Sequence, residues 1–257
     1  MSPPHPGAGD DLRAIAFATD DGTAWGAAVS DGNGWSLVTG PAAEHDGALE
    51  VAEQADGGWR LSTEGGALSL IVVADDPPVA PADDGTEPAA PQAPFVPGEG
   101  PELCRVMGTA SGREVQWLGI RVRMSQPRSG KEALGSARFV AGWFTDGSAV
   151  GLIAARPRRH DRPDHDAASA TLFDPERWLP VTEPRLSTTY DGSEAPARVN
   201  LELWIGEGEN EYPRRAAAEA SGLASATADG APALQAVPLR CHSRGEEGVG
   251  VYVVATF

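Results

Sequence analysis

Eight prolines lie between Asp75 and Glu102, in the run DDPPVAPADDGTEPAAPQAPFVPGEGPE, and they restrict the fold more than any other feature of this chain. Each proline fixes its own φ and lacks a backbone donor, so neither a helix interior nor a central strand can run through the segment. It reads as a linker between a first part, residues 11–74, and a second, residues 103–257. The first ten residues, MSPPHPGAGD, read as a disordered leader, with neither the basic flank nor the apolar run of a signal peptide.

Both parts carry strand signals. LRAIAFATDDGTAWGAAVSDG sets two apolar runs around Asp-Asp-Gly, and GWRLSTEGGALSLIVVADD sets two more around Gly-Gly. These are hairpin patterns, in which Asn, Asp or Gly adopts the positive φ that a tight turn needs. In the second part CRVMGTASGREVQWLGIRV pairs strands across Ser-Gly, and LSTTYDGSEAPARVNLELWIGEG does so across Asp-Gly. Alternation in ARVNLELWIG puts Val199, Leu201, Leu203 and Ile205 on one face and Asn200, Glu202 and Trp204 on the other. Helical signal is confined to YPRRAAAEASG, Tyr212 to Gly222, whose alanines favour a helix but also occur in strands. FATDDGTAWGAAV and WFTDGSAVGLIAA match with one gap, the pattern of a duplicated hairpin. The expected fold class is all-β, with two antiparallel lipocalin-like, calycin-type barrel or half-barrel units.

Composition excludes several functions. With 41% apolar and 22% charged residues, the 257-residue chain can build a real core. Its net charge of −17 and its single lysine, Lys131, argue against a nucleic-acid partner, which needs clustered cations to release counterions. They also argue against a basic membrane-surface patch. No apolar window approaches the roughly 18 residues of a membrane span, so a cytoplasmic location is expected. Cys104 and Cys241 read as free thiols unless they fall on neighbouring strands. No Gly-rich phosphate loop, nucleophile elbow or Cys-x-x-Cys pair appears, and no cofactor is expected.

The runs VQWLGIRVRM, GWFTDGSAVGLIAARP, VTEPRLSTTYDGSEAPARVNLELW and RGEEGVGVYVVATF resemble the hydroxyneurosporene synthase-like superfamily. That resemblance implies tandem lipocalin-like barrels and, by extension, hydration, isomerisation or cyclisation of an apolar polyene, isoprenoid or polyketide, or its plain binding. Relatives often carry a His-Ser-Trp-Gly-like segment after the strand LGIRVRM. This chain has MSQPRSGKEALG there, without that His and Trp.

Candidate site residues follow from strand faces. Arg121 and Arg123 share one side of their strand and, in a lumen, would bind a carboxylate or polarise a carbonyl; outside it they would pair with acids. Glu202 beside Trp204 is the candidate acid, because desolvation against an indole raises a carboxyl pKa towards what protonation of an alkene requires. Glu183, Arg185 and Tyr190, in TEPRLSTTY, are candidates for holding a ligand oxygen, and Trp117, Trp143 and Trp204 for walling an apolar cavity. His160 and His165, in RRHDRPDHD, are five apart, which no regular element converges, so that run reads as a solvated barrel-rim loop without a metal.

Overall fold

The computed structural model describes residues 11–19, 25–30, 35–40, 49–74, 100–125, 134–158, 167–175, 177–192, 196–205, 213–222, 225–226 and 232–257. The leader, most of the Pro-rich segment and the His160–His165 loop lie outside them. The described residues form strands and turns, without a helix. The first eight strands are β1 (Asp11–Ala18), β2 (Trp25–Ser30), β3 (Trp35–Thr39), β4 (Leu49–Glu53), β5 (Trp59–Thr63), β6 (Leu68–Ala74), β7 (Gly100–Ala110) and β8 (Arg113–Ser125). They make one antiparallel sheet in the order β3-β2-β1-β8-β7-β6-β5-β4, and its end strands β3 and β4 approach each other across a seam.

The second sheet contains β9 (Leu134–Phe144), β10 (Ala149–Pro157), β11 (Ala167–Asp174), β12 (Arg177–Tyr190), β13 (Pro196–Ile205), β14 (Arg214–Ala220), β15 (Ser225–Ala226), β16 (Ala233–Ser243) and β17 (Glu246–Thr256). Its order is β14-β13-β12-β11-β10-β9-β17-β16-β15, and β14 also pairs with β16. That extra ladder closes eight strands into a ring and removes their free edges. The architecture is thus all-β, with two antiparallel lipocalin-like barrels.

Turn chemistry explains the hairpins. Ser111 and Gly112 both have positive φ, at 49° and 73°, the conformation of a two-residue turn whose twist matches β7 and β8. Gly65 and Gly66 also have positive φ, at 90° and 75°, in the loop between β5 and β6, where Gly66 N–H donates to the Thr63 carbonyl at 2.9 Å. The two segments that match in sequence are the hairpins β1–β2 and β9–β10.

One expectation differs from what is observed, and one open alternative is resolved. The sheets divide between Ser125 and Leu134, not at residues 75–102: the Pro-rich run joins β6 to β7, neighbours in one sheet, and residues 100–102 already belong to β7. Prolines forbid regular structure where they stand, but do not dictate which sheet the next strand joins. Pro101 sits near the start of its strand, where a missing donor is tolerated. Arg214–Ala220, where the sequence left helix and strand open, is a strand, because ladders to β13 and β16 outweigh the helix propensity of its alanines.

The apolar side chains form three layers. Ile15, Phe17, Trp59, Leu70, Val106 and Trp117 pack inside the first barrel, where Phe17 and Trp117 stack with centroids 5.0 Å apart. Val140, Leu152, Leu172, Leu201, Leu239 and Tyr252 pack inside the second. Between them Ala14, Ala27, Ile120 and Val122 of the first sheet meet Phe139, Ala141, Ile153 and Val251 of the second. This middle layer explains why β2 and most of β10 are buried on both faces, while β6, away from the interface, alternates buried and exposed. Contacts run strand upon strand, β2 on β17 and β16, β1 on β17 and β9, β7 on β10 and β11.

Candidate functional site

The outer face of the second barrel takes up four of the expected site residues. On β13, Val199, Leu201 and Leu203 point into the core, so Glu202 and Trp204 point outward. Glu202 accepts a hydrogen bond from Arg215 Nε at 3.1 Å and faces Arg185 at 4.0 Å. Glu183 accepts two hydrogen bonds from Arg185, at 2.9 and 2.6 Å, and the Arg185 guanidinium stands 6.0 Å from the Trp204 ring. Arg198 and Glu219 extend this charged ladder at 2.8 Å. It is a solvated surface: a carboxylate held there cannot reach a molecule inside the barrel. The alternation in NLELW was legible, but which face was inner was not, because Trp204 made the outer face look mixed.

The first barrel holds the more concentrated site. Arg121 and Arg123 share the face of β8 that carries Trp117 into the inner core, and Arg13 lies on the matching face of β1 with Ile15 and Phe17. Arg121 Nε donates to Glu102 at 2.9 Å and Nη1 to the Gly57 carbonyl at 2.8 Å, while its guanidinium lies 5.2 Å from the ring of buried Trp59. Arg123 donates to Glu53, which also faces Arg13 at 3.6 Å. The hydrogen bond from Arg123 holds the Glu53 carboxyl below its ordinary value, and the charges of Arg123, Arg13 and Arg121 act the same way against a partial opposing effect of burial. Three guanidiniums and two carboxylates therefore converge at one end of an apolar, tryptophan-lined interior. Sequence reading missed Arg13, Glu53, Glu102 and Trp59. The alternation of Arg13 with Ile15 and Phe17 held a usable signal; Glu53, brought by β4 from the other end of the sheet, held none.

The second barrel carries a smaller polar group on its inner face. Tyr252 is fully buried, and its hydroxyl accepts a hydrogen bond from Thr188 Oγ1 at 3.2 Å and lies 3.4 Å from the hydroxyl of half-exposed Tyr190. Burial pushes the Tyr252 hydroxyl pKa above its ordinary value. Register partners of these residues, Val140 and Val199, line a void of about 10 Å³ together with Gly142, Phe144, Leu201 and Cys241. That is room for about one water.

The three expected wall tryptophans part company: Trp117 is inside the first barrel, Trp143 in the layer between the barrels, Trp204 on the outer ladder. The indole Nε1 atoms of Trp143 and Trp204 are buried and have no hydrogen-bond partner among the described residues. Cys104 and Cys241 form no disulfide and lie one inside each barrel, and desolvation pushes the Cys241 thiol up to about 12. Among the described residues no group of three or more His, Cys, Asp or Glu side chains is placed to hold a metal ion, and no helix is long and apolar enough to cross a membrane.

Two lipocalin-like barrels stacked through an apolar layer define the structural class. The structure is similar to the crystal structure of a candidate AttH protein from Nitrosomonas europaea, at a TM-score of 0.52 and 14% identity, covering 100% of this chain and 99% of that one. At that identity the likeness speaks for the fold. No family model matches the chain, and no curated protein matches it.

Proposed function

We propose that the protein binds a small apolar molecule, a polyene, isoprenoid or polyketide, against the inner face of a barrel, with Arg121 and Arg123 as contacts for its polar end and Trp117 as part of the wall. The observation that carries this reading is the convergence of Arg13, Arg121 and Arg123 on the inner face of the first barrel in a chain of net charge −17. Cations gathered at one end of an apolar interior orient a ligand whose other end is apolar. Non-catalytic binding is the primary reading, since Glu202 stands on the outer ladder. Assisted hydration, isomerisation or cyclisation, as the hydroxyneurosporene synthase-like resemblance implies, has one structural support: the inner-face hydroxyls of Tyr190 and Tyr252, groups that carry a proton beside an apolar core.

A fluorescence titration with a conjugated polyene carboxylate tests the reading. The expected result is saturable quenching of tryptophan emission at one probe per chain, weakened tenfold or more in Arg123→Ala, because a charged group's hydrogen bonds contribute about 1.5–3 kcal/mol. Unsaturable quenching, or an identical curve for the variant, would sink it.

A further inference from the structure

The first barrel is closed differently from the second. No ladder between β3 and β4 is found among the described residues, and β4 pairs with β5 alone. Only Leu49 and Val51 of β4 pack, half-buried, against the inner core; Glu50, Ala52 and Glu53 are exposed. An edge strand with so little apolar burial belongs to the low-stability end of a fold.

Beyond the ladder to β5 and the turn's own hydrogen bonds, charge ties β4 and its turn to the opposite side of the barrel end. Glu53, its last residue, reaches Arg123 on β8 and Arg13 on β1, strands at the middle of the sheet, so these ion pairs span the barrel end instead of running along a ladder. The turn that follows is tied in the same way: the Gly57 carbonyl accepts from Arg121, whose guanidinium in turn covers Trp59. The Arg121 side chain is only 11% exposed, whereas the Arg123 and Glu53 side chains are 42% and 41% exposed. The Arg123–Glu53 pair is therefore the part that solvent and salt reach, and pairs of that exposure hold weakly.

From this geometry we infer that β4 is a gate on the first barrel: it peels from β5 at the β3–β4 seam, and the Glu53–Arg123 pair is its latch. An arriving anionic head group competes with Glu53 for Arg123, so the ligand that uses the site also releases the latch. Such a device gives a molecule larger than one water a route to an inner face whose described side chains are close-packed. The inference rests on the binding reading for its purpose, but not for its test.

Hydrogen exchange of the full chain without ligand provides that test. Glu53→Gln keeps the size of the side chain and removes its charge. The ladder-bonded amides of β4 should exchange faster than those of β7 and β8 already in wild type and about two- to fivefold faster again in the variant, and 1 M NaCl should speed wild-type β4 while adding little in the variant. Unchanged β4 rates in both comparisons would overturn the gate. So would wild-type β4 amides that open as rarely as those of β7 and β8, which would mean that β4 comes free only when the whole barrel unfolds. If the gate behaves as stated and the polyene probe still fails to bind, the binding reading falls and the gate stands.

Discussion

Replacing Gly151 by alanine probes the contact between the barrels at its tightest point. Gly151 lies on β10 of the second sheet, and a Cβ added there would stand 2.8 Å from Ile120 Cγ2 and closer still to Pro101 Cβ, both on the first sheet. The backbone there does not need glycine's freedom, so in an open setting alanine would stabilise by about 0.4–1 kcal/mol through the unfolded state. Overpacking costs about 1–3 kcal/mol, and neither a ring carbon nor a β-branched methyl on a buried strand can step aside cheaply. A net loss of about 1–2 kcal/mol follows, a shift of roughly 0.5–1 M in the urea midpoint at an m-value near 2 kcal/mol/M. Gly142→Ala is the control: its Cβ would meet Val150 and Cys241 at 3.4 and 3.5 Å, tolerable contact beside the small void, so stability should hold or rise. Pro101→Ala combined with Gly151→Ala should recover part of the loss, since residues in contact couple by about 0.5–3 kcal/mol. If Gly151→Ala is as stable as Gly142→Ala, the barrels do not pack through this contact and the layered account is wrong.

Glu202→Gln and Glu202→Ala should leave occupancy by any bound apolar molecule unchanged and shift stability by less than about 1 kcal/mol, as for an exposed pair; loss of binding in a titration would return that residue to the site. Tyr252→Phe should cost about 0.5–1.5 kcal/mol in urea denaturation and Tyr190→Phe markedly less, because the first removes the buried centre of the hydroxyl group and the second a half-exposed partner. The Cys241 thiol, pushed up to about 12, should resist iodoacetamide at pH 8 until the chain unfolds, readable as mass added against denaturant concentration. The folded Glu53 carboxyl is held below its ordinary 4.5 by Arg123, Arg13 and Arg121, with Glu102 the nearby like charge on the same inner face. Its contribution is therefore complete above about pH 4.5 and is lost as pH falls below it, so wild type and Glu53→Gln should differ in denaturation midpoint at pH 7 and converge in acid.

Strand identity was legible where local rules decide it. Turn pairs such as Ser111-Gly112 and the alternation of Val199, Leu201 and Leu203 depend on neighbours in sequence, and both appear as read. The seventh and eighth strands were misassigned because their partners, β1 and β6, are chosen by the closing of a sheet, and a proline-rich run carries no trace of that choice. The strands WGAAVS and AVGLIAA are buried on both faces and lack alternation, but an unbroken apolar run does not say which second sheet covers it, so the middle layer went unread. The site was legible only as a pair of arginines on one strand face. Its remaining members come from β1, β4, β5 and β7, and a charge bridge spanning a barrel end leaves no spacing in the sequence.

Mass spectrometry of organic extracts from protein isolated natively from the producing organism, with the denatured protein as control, tests the binding claim most directly. The account predicts one apolar compound with an anionic or carbonyl end, stoichiometric with wild-type chains and depleted in Arg123→Ala. A folded protein whose extract holds no such compound, and which takes up none from a polyene carboxylate mixture, would contradict it.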